Sequence, residues 1–397
     1  MSKREYDIVL FGATGFTGGL TAEYLAAHAP PGLRWALAGR NRAKLEAVRR
    51  RLQAISPACK DLALLDADSG RPESLQSVAS SARVVITTVG PYILHGEPLV
   101  AACAEAGTDY VDLTGEPEFV DLMWLRYHEL AQRSGARLIH SCGFDSIPHD
   151  LGAYFTIQQL PEGVPLSVEG FVSGSGTFSA GTYHSAIHAF SRLRGYQKVR
   201  RERRAREQRP AGRSIGSLPG GIRHRDDIHA WAVPFPSIDE QVIQRSAAAI
   251  DRYGPAFRYR HYIRLKSFKQ VSMLLGGAGT LMALAQWGPT RRWLLSKRKS
   301  GDGPDEARRA RSRFAVKFIG SGGGRRVVTQ VSGGDPGYGE TSKMLAESAL
   351  CLALDALPKR AGQLTTVSAM GDALLRRLQA AGIRFEVLDS VDTGAAA

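Results

Sequence analysis

Residues Tyr6 to Gly19 read YDIVLFGATGFTGG, and the fold follows from how that run breaks. Ile8, Val9, Leu10 and Phe11 form a short continuous apolar run, the pattern of a strand buried on both faces of a parallel sheet. Glycines follow at Gly12, Gly15 and Gly18, after which Leu20, Thr21, Tyr24 and Leu25 recur at helical spacing. Strand, glycine turn and helix in that order are what a dinucleotide fold needs. Gly12 permits the tight turn, Gly15 lets backbone N–H groups approach a pyrophosphate, and Gly18 lets helix and strand pack closely. The diphosphate then rests on the positive end of the helix dipole.

Outward from this turn, Leu33 to Arg40 (LRWALAGR) reads as the second strand. Its end lies about twenty residues past the glycines, where an NAD site carries a carboxylate for the ribose 2′-hydroxyl. Here stand Arg40, Asn41, Arg42 and Lys44. A carboxylate repels a 2′-phosphate and a guanidinium grips it in bidentate fashion, so the expected cofactor is NADP. DLALLDAD reads as a third strand that brings Asp66 towards the adenine. RVVITTVGPY reads as a fourth, with Gly90, Pro91 and Tyr92 lining the nicotinamide end; the alternative is a plain turn with Tyr92 as a packing residue. The expected cofactor-binding set is thus Gly12, Thr14, Gly15, Phe16, Thr17, Gly18, Arg40, Asn41, Asp66, Gly90, Pro91 and Tyr92.

TDYVDLTGE and ARLIHSCGFDSIP supply two more strands between helical stretches, making six in one doubly wound α/β domain over residues 1–150. The last strand releases His140, Ser141, Cys142, Asp145, Ser146 and His149. Such a cluster at a strand's carboxyl end is a source of acids and bases. It reads equally as a hinge, with Asp145 capping the next helix and His140 satisfied in the core.

With 397 residues and 43% hydrophobic content, the chain can bury two cores. The four cysteines are scattered, with no CxxC pair and no histidine at zinc-ligand spacing, so neither a disulfide nor a metal is expected. That usage suits a reducing cytoplasm. MSKREYDIV carries charge where an export signal needs a long apolar core. The net charge of +14 comes wholly from residues 192–213 and 291–313, with surpluses of eight and six. These segments read as a solvated helix and loop, or as a surface for an anionic membrane or acidic partner. Nucleic acid is disfavoured because no aromatics interleave the arginines.

The second half divides at residues 151–340, a substrate domain, and 341–397, C-terminal helices packing back on the first domain. LSVEGFVSGSGTFSAG (166–181) reads as a strand and a small-residue turn, followed by a helix carrying Tyr183. QVSMLLGGAGTLMALAQWGPT (270–290) has no charge and places Val271, Leu274, Leu275, Ala278, Leu281, Met282 and Ala285 on one helical face. Its glycines and glutamines make a poor membrane span, leaving a core or dimer helix, or one lying on a membrane between basic flanks. Residues 299–306 read as a mobile loop. SRFAVKFIG and RRVVTQVSG, joined by SGGG, read as a hairpin, so the second domain carries a mixed sheet. GDPGYGET precedes a long helix and offers Tyr338 as a proton donor. Tyr338, Tyr183, Asp145 and His140 are the candidate catalytic residues.

GATGFTGG, AGRNRAKL, TTVGPY, DLTGE and HSCGFDSIPHDLG, in this order, resemble the saccharopine dehydrogenase-like oxidoreductases. Within that group VPFPSIDEQVIQRSA, GDPGYGETSKMLAESALCLALD and GDALLRRLQAAGIRFEV are similar to the actinobacterial trans-acting enoyl reductases. The resemblance implies an NADP-binding Rossmann domain, a second mixed α/β domain, and NADPH-dependent reduction of a double bond on polyketide-derived lipid intermediates for cell-envelope glycolipids. It thus implies an acyl or lipid substrate; the basic segments could receive an acidic acyl-carrier or polyketide synthase partner, and the expected location is the cytoplasm, peripheral at the inner face of the plasma membrane if the protein touches lipid. A homodimer is open. The alternatives are a reductase of an imine or amino acid, and a non-catalytic, membrane-associated NADP binder. The spacing GxxGxxG differs from the GxGxxG of many lysine-pathway relatives, and no arginine set awaits an amino acid's carboxylates.

Overall fold

The opening apolar run becomes β1 (Tyr6–Phe11) in the computed structural model, which describes residues 4–175, 180–208, 210–297 and 304–393. β2 (Trp35–Gly39), β3 (Ala63–Asp66), β4 (Ala82–Thr87), β5 (Asp109–Val111) and β6 (Arg137–Ile139) join it in the order β3-β2-β1-β4-β5-β6, all parallel. Helices cover both faces, which is why Ile8, Val9 and Leu10 are all buried. The order reverses between β1 and β4, so a crevice opens at their carboxyl ends.

The second sheet begins with β7 (Leu166–Gly174), β8 (Ser214–Ser217), β9 (Arg223–Arg225), β10 (Ala230–Pro234), β11 (Ala256–Leu265), β12 (Phe314–Gly322) and β13 (Arg325–Gly333). It is mixed: β11 pairs in parallel with β7 and β8, whereas β12 is antiparallel to both β7 and β13. The β12–β13 hairpin turns at Gly323 and Gly324, with φ of +57° and +74°, the left-handed pair that a two-residue type I′ turn requires. The small-residue turn expected after β7 falls largely on residues 176–179, outside the described residues. The loop expected at 299–306 likewise falls mainly on 299–303.

Two long segments depart from their simplest reading. In the basic stretch, the helix Leu193–Arg206 packs on the helix Pro117–Ser134, and Arg203 is buried in an ion pair with Asp121 at 2.7 Å. Part of the positive charge is therefore internal. The apolar helix Phe268–Gln286 buries only Val271 and Ala285, while Leu275 and Met282 of its apolar face stay exposed. Among the described residues no helix is long and apolar enough to cross a membrane.

The C-terminal segment, expected as helices, carries two strands as well. The helix Gly339–Leu354 lies against the helix Phe16–His28 and β4. β14 (Gly362–Leu364) then pairs in parallel with β6, so the first sheet has seven strands where the sequence suggests six. After the helix Thr366–Ala380, β15 (Arg384–Asp392) pairs antiparallel with β13 and completes eight strands in the second sheet. Three residues, GQL, give no periodic signal. What fixes them is tertiary: Gln363 donates its side-chain amide to Val120 O at 3.0 Å and its backbone N–H to His128 Nδ1 at 3.0 Å.

Candidate active site

The glycine turn is shaped by what a side chain would strike. Gly12 has φ +103°, and a Cβ there would lie 2.6 Å from Thr88 Oγ1 at the end of β4. A Cβ on Gly18 would lie 2.2 Å from the carbonyl oxygen of Gly12, so the helix sits directly on the turn. At Gly15, the N-cap of the helix Phe16–His28, a Cβ would meet only Gly12 O at 3.4 Å among the described residues, none of whose side chains caps the helix. Thr14 and Gly15 are exposed. The residues present thus fit a dinucleotide diphosphate: an open rim, a helix start without a side-chain cap, and a turn only glycine can make. Phe16 and Thr17 face the C-terminal segment instead. Phe16 meets the Tyr338 ring edge-on at 4.8 Å, and the Ser342 hydroxyl donates to Thr17 O at 3.2 Å.

At the adenosine end, the three expected residues have different surroundings. Arg40 is exposed just past β2 and makes no side-chain hydrogen bond or ion pair among the described residues. Asn41 caps the following helix, accepting from the Lys44 N–H at 2.9 Å. Asp66 is paired with Arg71 at 2.6 Å, which satisfies its carboxylate without a ligand.

At the nicotinamide end, Gly90 is exposed and the Gly90–Pro91 peptide is cis. Tyr92 does not line the crevice with its ring. It is buried, its hydroxyl donating to Thr87 O and accepting from the Leu113 N–H, both at 3.2 Å. It braces β4 against β5, the packing alternative. Tyr92→Phe is expected to cost about 1–2 kcal/mol of stability, because it strands a buried N–H and a buried carbonyl. Urea unfolding checks this, and a loss below a few tenths would show that the brace is idle.

Two acids from DLTGE organise this end, and the sequence reading did not single them out. Glu116 accepts from the backbone N–H groups of Tyr92 and Ile93 at 3.1 and 2.9 Å and from the Ser185 hydroxyl at 2.8 Å. Burial raises its pKa. Asp112 binds His140 Nδ1 at 2.6 Å and accepts from the Tyr110 hydroxyl and two backbone N–H groups. The available signal was a pair of acids, Asp112 and Glu116, on either side of Gly115 past a strand's carboxyl end.

The four proton-donor candidates separate sharply. His140 is buried, tied to Asp112 and wedged edge-on between Tyr110 and Phe119. Tyr183 donates to Leu294 O at 3.3 Å, towards the helix Gly288–Ser296. Tyr338 is buried behind Phe16. Asp145 is half-buried, its Oδ2 lying 3.0 Å from where a Cβ on Gly115 would stand, and burial pushes its pKa up to about 6. Cys142 and His149 turn into the interior and are buried.

The raised Asp145 pKa carries a stability consequence. The unfolded carboxyl ionises near pH 4 and the folded one near pH 6. Stability from the neutral form is therefore full below about pH 4 and lost as pH rises through about 6. Asp145→Asn is expected to leave melting unchanged at pH 4 and to stabilise by about 1–2 kcal/mol at pH 7.5, discounted for partial exposure. Equal effects at both pH values would show that Asp145 is not perturbed.

Comparison with known proteins gives a consistent picture. The saccharopine dehydrogenase NADP-binding domain matches residues 8–139. A provisionally named trans-acting enoyl reductase of Mycobacterium tuberculosis is 39% identical, covering 96% of this chain and 97% of that protein. The trans-acting enoyl reductase of Mycobacterium ulcerans is 35% identical with the same coverage. Among solved structures, the apo saccharopine dehydrogenase (L-Glu forming) of Saccharomyces cerevisiae aligns over 97% of this chain and all of that one, with a TM-score of 0.57 and 13% identity. That likeness establishes the fold.

Proposed function

Because the chain belongs to the trans-acting enoyl reductases, a branch of the saccharopine dehydrogenase-like oxidoreductases, we propose that it reduces the double bond of an α,β-unsaturated acyl group on a polyketide-derived lipid intermediate. It is an oxidoreductase built on a nicotinamide-cofactor domain. The observation that carries the reading is relatedness over 96% of the chain, second domain included. We assign NADPH as the cofactor. Gly12, Gly15 and Gly18 hold its diphosphate, and Arg40 meets its 2′-phosphate. When bound, NADPH supplies the hydride for the β-carbon. Glu116 keeps the Pro91–Ile93 backbone in place at that end of the crevice. Asp145 delivers a proton to the α-carbon, since a carboxyl titrating near pH 6 is still partly protonated at neutral pH.

The test is NADPH oxidation with an enoyl thioester, set against a keto acid plus an amine. Turnover on the enoyl substrate alone is expected, and Asp145→Asn should lower kcat by about 10²–10⁴-fold. Turnover confined to the keto acid and amine would replace the assignment with an imine reductase.

We also infer that the helices Phe268–Gln286 and Gly288–Ser296 rest on an anionic lipid surface. Phe268, Met273, Trp287 and Trp293 are 60%, 68%, 66% and 53% exposed, a large apolar display for a folded protein. Lys266, Lys269, Arg292 and Lys297 are exposed around them, as anionic headgroups favour. The surface meets a groove of about 700 Å³ against Ser191, Arg192 and Gly195. Flotation with phosphatidylglycerol vesicles is expected for the wild type and largely lost in Trp287→Ser/Trp293→Ser. A double variant that still floats would overturn this reading, as would a wild type that stays with the bulk and dimerises through the same face.

A further inference from the structure

Three side chains far apart in sequence meet in the interior. His149 lies in the first turn of the helix Ile147–Gln158, Asp239 in the first turn of the helix Ile238–Ala249, and His261 on β11. All three are buried, and one ligating atom from each lies within 4.8 Å of the other two. His149 Nδ1 is 3.3 Å from Asp239 Oδ1, and His261 Nε2 is 3.8 Å from Asp239 Oδ2. Both ring nitrogens of His149, His261 Nε2 and Asp239 Oδ1 have no hydrogen-bond partner among the described residues. Native interiors rarely leave so many polar atoms unsatisfied in one place.

We propose that His149, Asp239 and His261 bind a divalent ion of the zinc class, with an oxygen ligand in a fourth position. Two imidazoles and a carboxylate form a nitrogen–oxygen set suited to such an ion. Tetrahedral bonds of about 2.0–2.1 Å place ligand atoms roughly 3.3 Å apart. The His149 Nδ1–Asp239 Oδ1 separation of 3.3 Å already matches that spacing, and His261, in a set whose ligand atoms lie within 4.8 Å of one another, has to close in on the ion. The surrounding groups orient the ligands as metal sites do. The Tyr259 hydroxyl lies 3.0 Å from His261 Nδ1, which leaves Nε2 for the ion. The Ser237 hydroxyl donates to Asp239 Oδ2, which leaves Oδ1. Phe144 covers His149 edge-on at 5.4 Å. The ion ties the helix leaving the first sheet to a strand and a helix of the second domain.

No local zinc spacing announces the site, because its ligands are 90 and 22 residues apart. The test uses the full chain without a histidine tag, stripped by chelator and titrated with Zn²⁺ and then Co²⁺. One equivalent is expected, with the visible absorption of four-coordinate cobalt and a melting midpoint that rises with zinc and falls back on chelation. His261→Gln and Asp239→Asn should abolish both signals with circular dichroism unchanged. Tyr259→Phe, a positioning change, should weaken zinc binding about tenfold. A wild type that takes up no ion overturns the proposal, whatever the variants do; that is also the result if a bound water satisfies these atoms. Should the ligand variants not fold, unchanged zinc affinity in Tyr259→Phe overturns it equally, because uptake then lies elsewhere.

Discussion

Gly18→Ala is expected to abolish nicotinamide-cofactor binding and to destabilise the chain by roughly 3 kcal/mol. The new methyl group would stand 2.2 Å from Gly12 O and 2.7 Å from Gly12 C, and it would also strike Thr88 Oγ1 at 2.6 Å. Two of those neighbours are backbone, so no rotamer change relieves the contact. The helix must lift off β1, and the N–H groups at its start move with it, which removes the anion site. Gly19→Ala is the matched control. Its methyl group meets Arg51 Nη2 at 2.8 Å, the far end of a flexible side chain that can swing away. Calorimetric titration with NADPH and denaturant unfolding on both variants separate the two positions. NADPH binding by Gly18→Ala within threefold of wild type would remove the glycine turn from the cofactor site.

Arg40→Asp is expected to reverse cofactor preference. Its guanidinium is exposed beyond β2 and has no ion pair to lose among the described residues, so stability should hardly change. Removing a charged hydrogen-bonding group from the 2′-phosphate costs about 1.5–3 kcal/mol, or roughly 10–150-fold in NADPH affinity. The carboxylate adds repulsion against that phosphate and offers NADH an acceptor for its 2′-hydroxyl. The ratio of NADPH to NADH dissociation constants is the readout. An unchanged ratio would mean that the 2′-phosphate lies elsewhere, with Arg42 excluded as a ready substitute because it is already bound to Leu64 O and Glu46.

The dinucleotide domain was legible because each of its signals is local. A buried parallel strand is a continuous apolar run, and a turn that only glycine can make is written in glycines. The β12–β13 hairpin was legible for the same reason, with Gly323 and Gly324 supplying its two left-handed positions. Asp112 and Glu116 were not, although DLTGE stood out. An acid's role depends on which backbone N–H groups surround it, and for Glu116 those belong to Tyr92 and Ile93. Tyr92 shows the converse: beside Gly90 and Pro91 it looks like a lining residue, yet its hydroxyl is held inside by Thr87 and Leu113.

From sequence alone came the first sheet's parallel core, the glycine turn and the arginine at position 40, since backbone preference and charge act within a few residues of where they are written. Tertiary structure decided the seventh strand, the exposure of the helix Phe268–Gln286, the different surroundings of the four proton-donor candidates and the meeting of His149, Asp239 and His261. Each of these depends on burial or on partners distant in the chain. Burial sets the solvation of a charge and the worth of an apolar face, and neither is a property of a residue's neighbours in sequence.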